Sequence, residues 1–277
     1  MSKNEPFAPW QCPLCGEKLT GDSTLRCTKG HCFDRAKEGY WHLLPVQSMR
    51  TKAPGDSKEM VAARRRFLDT GGYACFSDGL NALVCSLLME LPAPSLVDAG
   101  CGEGYYTARL VQALRASGKT PSAAAFDISK FAVKAAARRD KAHAVQWAVA
   151  SSFAIPVADA AADCLVDIFS PAAAQEFARV VKPGGAFVFA VPGPRHLYGL
   201  KEVLYERPYE NTVQDVAYPG FALDADSVQE ARKRILEEKE RGKLILIASH
   251  YPEDIQSLCD EVYWMKNGHV LPSKENK

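Results

Sequence analysis

The run Leu96-Val97-Asp98-Ala99-Gly100-Cys101-Gly102-Glu103-Gly104-Tyr105-Tyr106 constrains the fold more than any other feature of the chain. It joins an apolar strand to a helix start through glycines at alternate positions, which let the backbone turn with positive φ and approach a ligand closely. The spacing is G-x-G-x-G rather than the dinucleotide G-x-G-x-x-G, and Asp98 ends the strand just ahead of it. From Ser95 onward short apolar segments alternate with helical ones, which predicts a doubly wound α/β sheet. Strands are expected at Ser95–Asp98, Ala123–Asp127, Gln146–Val149, Cys164–Phe169 and Ala186–Ala190. Helices are expected between them at Thr107–Ala116, Lys130–Arg139 and Ala172–Val181. Ahead of the sheet, Lys58–Asp69 and Asn81–Leu91 have helical apolar spacing, the first capped by Ser57 and the second ended by Pro92 and Pro94.

The amino-terminal segment is too short and polar to bury a core of its own, and its cysteines suggest what replaces one. Cys12 and Cys15 form a C-x-x-C knuckle, and Cys27 with His31 supplies a second pair, giving a Cys3His set for a structural zinc ion. Cys32 competes with His31 as the fourth ligand; the spacing to Cys27 favours His31. With all four positions filled by protein, such an ion has no open site for catalysis. The composition, 47% hydrophobic with a net charge of +1, is that of a soluble globular chain and excludes a globally basic nucleic-acid binder. Arg64-Arg65-Arg66 and Arg138-Arg139 with Lys141 remain as local basic clusters. No apolar run approaches the roughly 20 residues that span a bilayer, so a cytoplasmic protein without a membrane partner is expected.

Asp127 ends the second strand, where an acidic side chain can accept hydrogen bonds from the ribose hydroxyls of a nucleoside cofactor. Ala150-Ser151-Ser152 follows the third strand, the place for an adenine-contacting loop or a plain turn. Lys182-Pro183-Gly184-Gly185 reads as a tight turn before the fifth strand, and Phe169-Ser170-Pro171 closes the fourth.

The glycine run resembles motif I of the S-adenosylmethionine-dependent methyltransferases, and further motifs sharpen the likeness. Cys12-Pro13-Leu14-Cys15, Ala36-Lys37-Glu38-Gly39-Tyr40, Leu43-Leu44-Pro45-Val46-Gln47, Pro54-Gly55-Asp56, Ala63-Arg64-Arg65 with Phe67-Leu68, and Pro192-Gly193-Pro194-Arg195-His196-Leu197 appear in order. From about residue 10 to 205 the chain is similar to the bacterial 23S ribosomal RNA guanine-N1 methyltransferases. The resemblance implies a Rossmann-like methyltransferase sheet, an N-terminal zinc ribbon at Cys12, Cys15, Cys27 and His31, and a 23S rRNA hairpin as partner, with a homodimer as a further expectation. It implies S-adenosylmethionine contacts at Tyr73, Gly102, Glu103 and His196, beside Asp98, Gly100 and Asp127 from the glycine-loop reading. Read from the residues alone, Tyr73 is rather a core aromatic after a Gly-Gly turn, and His196 a capping residue in a Pro-rich loop. The sequence does not identify the group that takes the proton from guanine N1.

After about Leu204 the likeness fades. Ala222-Leu223-Asp224, a charged helix at Ser227–Glu240, the apolar strand Lys243–Ala248, Ser249-His250 and Leu258–Val262 resemble the end of an ATP-binding-cassette ATPase. The chain contains no G-x-x-x-x-G-K-[ST], so ATP hydrolysis by this chain alone is not expected. The expected organisation is a zinc-ribbon module at 1–45, an S-adenosylmethionine-binding Rossmann-like domain at 46–208 and an atypical α/β tail at 209–277. Lys243–Ala248 is a candidate extra edge strand for the five-stranded sheet.

Overall fold

The computed structural model describes residues 9–49, 51–211, 218–221, 263–266 and 269–272. They fall into two compact units, one of residues 1–191 with 215–220 and one of 192–214 with 221–277. The first unit is built on a six-stranded parallel sheet. In chain order the small strands β1 (Thr24–Arg26) and β2 (Cys32–Asp34) form a two-stranded hairpin in the ribbon. β3 (Tyr40–His42), β4 (Ser95–Ala99), β5 (Ser122–Asp127), β6 (Val145–Val149), β7 (Ala162–Ile168) and β8 (Val181–Ala190) make the large sheet. Its order is β3-β6-β5-β4-β7-β8. After β3, which takes one edge, the chain enters near the middle at β4, winds outward through β5 to β6, then crosses to the other side of β4, which places a topological switch point at β4.

The helices carry their own start signals. α1 (Lys58–Asp69) begins where the Ser57 hydroxyl accepts the Met60 N–H at 3.3 Å, and α4 (Lys130–Arg139) begins at Ser129, whose hydroxyl accepts from Ala132. α3 (Tyr105–Ala116) and α5 (Ala174–Val180) link the strands of the sheet, as the alternating pattern predicts. α2 (Ala74–Leu87) differs from the expected Asn81–Leu91: it starts directly after the Gly71-Gly72 turn, with Tyr73 at its cap position and no side-chain cap to announce it.

Two further differences concern the sheet. The Lys182–Gly185 turn lies within β8, where the pairing passes from Ala162 opposite Val181 to Cys164 opposite Ala186, so the extra residues form a bulge in a continuous strand. The edge beyond β6 is covered from the ribbon side: Tyr40, Trp41 and His42 of β3 pair in parallel with Trp147, Ala148 and Val149. Trp10, buried, also bridges to Val157, and the Gln11 N–H donates to the Pro156 carbonyl at 2.8 Å. A ribbon with little apolar surface gains stability by sharing a hydrogen-bonded edge and a tryptophan with the larger core.

That core consists of inward faces of the sheet and its helices, with Leu96, Ala125, Trp147, Cys164 and Val166 on strands and Leu110, Leu114, Val133 and Ala136 on helices. In the second unit the described elements are α6 (Tyr198–Leu204) and an antiparallel pair, β9 (Tyr263–Lys266) and β10 (His269–Pro272). The sequence readings at Ser227–Glu240, Lys243–Ala248, Ser249-His250 and Leu258–Val262 lie outside the described residues. Among the described residues no helix is long and apolar enough to cross a membrane.

Candidate functional site

The ribbon brings four metal-binding atoms together. Cys12 and Cys27 Sγ lie 3.5 and 3.4 Å from His31 Nδ1, Cys15 Sγ lies 3.7 Å from Cys27 Sγ, and all four ligand atoms are within 4.8 Å of one another. Tetrahedral zinc with Zn–S bonds of about 2.3 Å sets ligand atoms about 3.8 Å apart, so the set fits the ion. A glycine at each ligand pair makes this possible: Gly16, after Cys15, and Gly30, before His31, have φ of +76° and +85°, and their N–H groups donate back to the carbonyls of Cys12 and Cys27. Cys32 is exposed and outside the group.

At the carboxyl ends of β4, β5 and β7 a cleft of about 470 Å³ opens at the switch point. Its walls are the glycine loop (Gly100–Glu103), Asp127-Ile128, Ile168–Pro171, and Tyr73 with neighbouring aromatics. The loop is tied down internally. Gly100 and Cys101 N–H both donate to the Phe126 carbonyl at 2.9 Å, Gly102 N–H donates to Asp127 Oδ2 at 3.0 Å, and Gly104 N–H donates to the Cys101 carbonyl. With these amides spent, the loop does not form a phosphate cradle of the dinucleotide kind; it presents a glycine surface to a ligand. At Gly102 an added Cβ would meet nothing within 4 Å, whereas at Gly104 it would strike Ala136 and Trp147 at 2.9 Å.

Each expected cofactor residue has a definite place. Asp127 lines the cleft, its Oδ1 accepting the Ser129 N–H at 2.7 Å and its Oδ2 that of Gly102. Burial raises its carboxyl above the ordinary range, against the pull of those two amides. Glu103 also lines the cleft and is buried; its Oε2 accepts Arg139 Nε and Nη2 at 2.9 and 2.7 Å. Glu103 Oε1, by contrast, is buried without a hydrogen-bond partner among the described residues. Burial raises the Glu103 carboxyl as well, Arg139 offsetting part of the rise. Tyr73 stands in an aromatic wall, edge-on to Phe67 at 5.8 Å and to Phe169 at 6.2 Å, and Phe76 stacks on Phe169 at 5.5 Å.

Two residues fall elsewhere. Asp98 is buried beneath the loop and takes no part in the cleft wall; it accepts a short hydrogen bond from Thr107 Oγ1, tying β4 to the first turn of α3. A strand-end position points alternately to either side of the sheet, which spacing alone does not resolve. His196 belongs to the second unit, where its N–H donates to the Gly193 carbonyl and its own carbonyl accepts from Asn211 Nδ2 at 3.1 Å. Ser151, expected near an adenine, lines a second, larger cavity that shares Gly55 and Ile128 with the cleft.

Sequence reasoning misses the parts played by Arg139, Asp167 and Ser170. Arg139 reads as one member of a basic cluster, but it is the partner of Glu103, also bonds Asp69 Oδ1 at 2.9 Å and lies 5.7 Å over the Tyr105 ring. Asp167 is hidden inside an apolar strand. Burial pushes it up to about 7, and Asp98 is likewise pushed up to about 7 by burial, with Asp167 and Asp127 adding to the rise.

The chain's relatives agree with this arrangement. The family described as RlmA, N-terminal, a zinc ribbon, matches residues 10–52, and the one described as a methyltransferase domain matches residues 96–185. A protein of Streptomyces fradiae named 23S rRNA (guanine(748)-N(1))-methyltransferase is 34% identical over 70% of this chain and 67% of its own length. A Micromonospora griseorubida protein provisionally given the same class of name is also 34% identical, over 70% of this chain and 69% of its own length. An uncharacterized ATP-binding protein of an ABC transporter from Bacillus subtilis is 31% identical over 83 residues, 30% of this chain and 37% of its own length. With ribbon, glycine loop and switch-point cleft on one chain, the first two likenesses leave one assignment: the chain belongs to the 23S rRNA (guanine-N1)-methyltransferase family.

Proposed function

We propose that the protein transfers a methyl group from S-adenosylmethionine to N1 of a guanine in 23S rRNA. The observation that carries the cofactor half is Glu103 Oε1, a buried acceptor without a partner among the described residues, on the wall of a glycine-lined cleft. An unpartnered buried acceptor costs about 1–3 kcal/mol and is best satisfied by a ligand N–H. In this reading Gly100 and Gly102 give close approach, Glu103 and Asp127 accept hydrogen bonds from the ligand, and Tyr73 closes the aromatic side. Asp98 supports from beneath by fixing α3. His196 is assigned from the family's Pro-Arg-His loop. When bound, the cofactor supplies an electrophilic methyl on a sulfonium.

The acceptor half follows from the substrate's chemistry. A guanine N1 lies on the Watson–Crick edge, so the nucleotide must be unpaired or turned out of its stack and held on aromatic surfaces. Phe169 is suited to hold it, being more than a third exposed at the cleft mouth with φ of +58°, an uncommon conformation for a bulky residue. Cys12, Cys15, Cys27 and His31 hold a structural zinc, which keeps the ribbon in place to meet the RNA. For the tail we infer an ATP-binding-cassette origin without nucleotide hydrolysis, and the 1–45, 46–208 and 209–277 division marks sequence origin rather than packing.

Two measurements test this reading. Calorimetry with S-adenosylmethionine should show about one site per chain. Mass spectrometry of nuclease fragments from treated 23S rRNA should then show 1-methylguanine; cofactor binding without any methylated guanine would leave an RNA- or cofactor-binding remnant instead.

A further inference from the structure

We propose that Ser170 and Asp167 form the proton relay that deprotonates the acceptor nitrogen, Ser170 at the cleft wall and Asp167 buried behind it. The inference rests on the guanine-N1 reading above. N1 of guanine carries a proton at neutral pH, and a general base must take it as the new bond forms.

Ser170 lines the cleft. Its Oγ reaches two acceptors, the Asp167 carboxylate by a short hydrogen bond and the Ala99 carbonyl at 3.1 Å. One hydroxyl proton serves only one of them at a time, so the geometry supports two states. With Asp167 ionised, Ser170 donates to it. With Asp167 protonated, Asp167 donates to Ser170 Oγ and Ser170 donates to the Ala99 carbonyl. A proton entering at Ser170 therefore finds a ready path inward and a satisfied end state. The glycine loop makes room for this pair, because a Cβ on Gly100 would collide with Ser170 Oγ.

The surroundings hold Asp167 in a range useful to a base at neutral pH. The titratable groups facing it among the described residues are Asp98 of β4 and the phenol of Tyr218, whose ring packs on Phe187 and Phe189 at 5.1 and 4.7 Å. Neither is a cation, so burial dominates and the carboxyl is raised. In the step, the N1–H proton passes to Ser170 Oγ while the Ser170 proton passes to Asp167. The N1 electron pair forms the N–CH3 bond, and the methyl–sulfur bond breaks with its pair left on sulfur. Asp167 later returns its proton to solvent.

The decisive variant is Asp167→Asn, which still accepts from Ser170 but cannot take its proton. The full chain is given methyl-labelled S-adenosylmethionine and 23S rRNA transcript, and single-turnover methylation is followed against pH. The relay predicts a loss of about 100-fold at pH 7, cofactor affinity unchanged by calorimetry, and recovery towards the wild-type rate at alkaline pH, where guanine N1 ionises unaided. Carbon-13 carboxyl titration should separately find Asp167 raised in the wild type and altered by Ser170→Ala. Wild-type rates in Asp167→Asn would overturn the relay, as would a loss that no pH restores, since that is the mark of a purely structural role. If Asp167→Asn does not fold, Ser170→Ala is read by the same criteria. A wild-type chain that methylates no guanine would instead count against the function proposed above.

Discussion

Alanine at Gly102 and at Gly104 asks two different questions of the same loop. Both glycines have positive φ, +55° and +80°, so either alanine carries the left-handed penalty of about 1–2 kcal/mol. At Gly104 the new methyl also lands 2.9 Å from Ala136 Cβ and from the Trp147 ring. Neither can retreat: Ala136 is on α4 in the core, and Trp147 is buried with its Nε1 bonded to Asp140 Oδ2 at 3.1 Å. Overpacking of this kind adds about 1–3 kcal/mol, for a total of roughly 2–5 kcal/mol. For a unit of this size that lowers Tm by about 4–20 °C, against about 2–8 °C for Gly102→Ala. Binding should rank the other way. The Gly102 methyl points into open cleft, so Gly102→Ala should cost at least about tenfold in S-adenosylmethionine affinity, a loss of about 1.4 kcal/mol, while the protein stays folded. Differential scanning fluorimetry and calorimetry on the two variants decide the matter. Equal melting losses, or wild-type binding by Gly102→Ala, would refute the claim that this loop is a ligand surface on one side and a packing joint on the other.

Three further outcomes follow from the same geometry. Arg139→Met leaves Glu103 buried and unpaired, which should cost on the order of 3 kcal/mol and weaken cofactor binding; urea melts that match the wild type would contradict the pairing. Elemental analysis should find about one zinc per chain. Because Trp10 and β3 stitch the ribbon to the sheet, chelation should lower the main thermal transition, and a main transition indifferent to chelator would show the ribbon to be energetically separate. Finally, Asp98 and Asp167 have carboxyls raised from 3.8 to about 7 in the folded protein, so the native state holds these protons more tightly than the unfolded chain. Stability is then greatest below about pH 4 as far as these groups are concerned, and is lost as pH rises through about 7. Asp98→Asn, which can still accept from Thr107, should reduce the fall in stability between pH 4 and 7 by about one proton, or about 1.4 kcal/mol per pH unit; an unchanged slope would show that Asp98 is ionised throughout.

What the sequence makes legible is what local chemistry writes into neighbouring residues. Ser57 marks the first turn of α1, and the observed spans Lys58–Asp69 and Lys130–Arg139 coincide with the expected ones. The strands from β4 to β7 show as short apolar runs because both faces of a parallel sheet are buried there. The metal set is legible for the same reason, its four ligands lying in two short knuckles. Residues that act by meeting distant partners are not. β3 is three residues long, and nothing in Tyr40–His42 announces a partner more than 100 positions later in Trp147–Val149. Glu103 and Arg139 are 36 residues apart, and only the fold reveals that the arginine of an apparently solvated cluster closes over a buried glutamate.

The same distinction explains the two aspartates that end or nearly end strands. Asp98 and Asp127 both precede a turn at the cleft, yet one is buried under the loop and the other forms its wall. The difference lies in what each carboxylate meets: Asp98 meets a hydroxyl on α3, and Asp127 meets the amides of Gly102 and Ser129. A carboxylate whose partners are backbone N–H groups of a glycine segment fixes that segment from the ligand's side, whereas one bonded to a helix fixes it from beneath. The loop is thus clamped between the buried Asp98 and the half-buried Asp127, both raised by desolvation. Burial keeps Asp167 protonatable as well, so the device that shapes the cofactor cleft also supplies, one strand away, the acid–base group that the acceptor nitrogen requires.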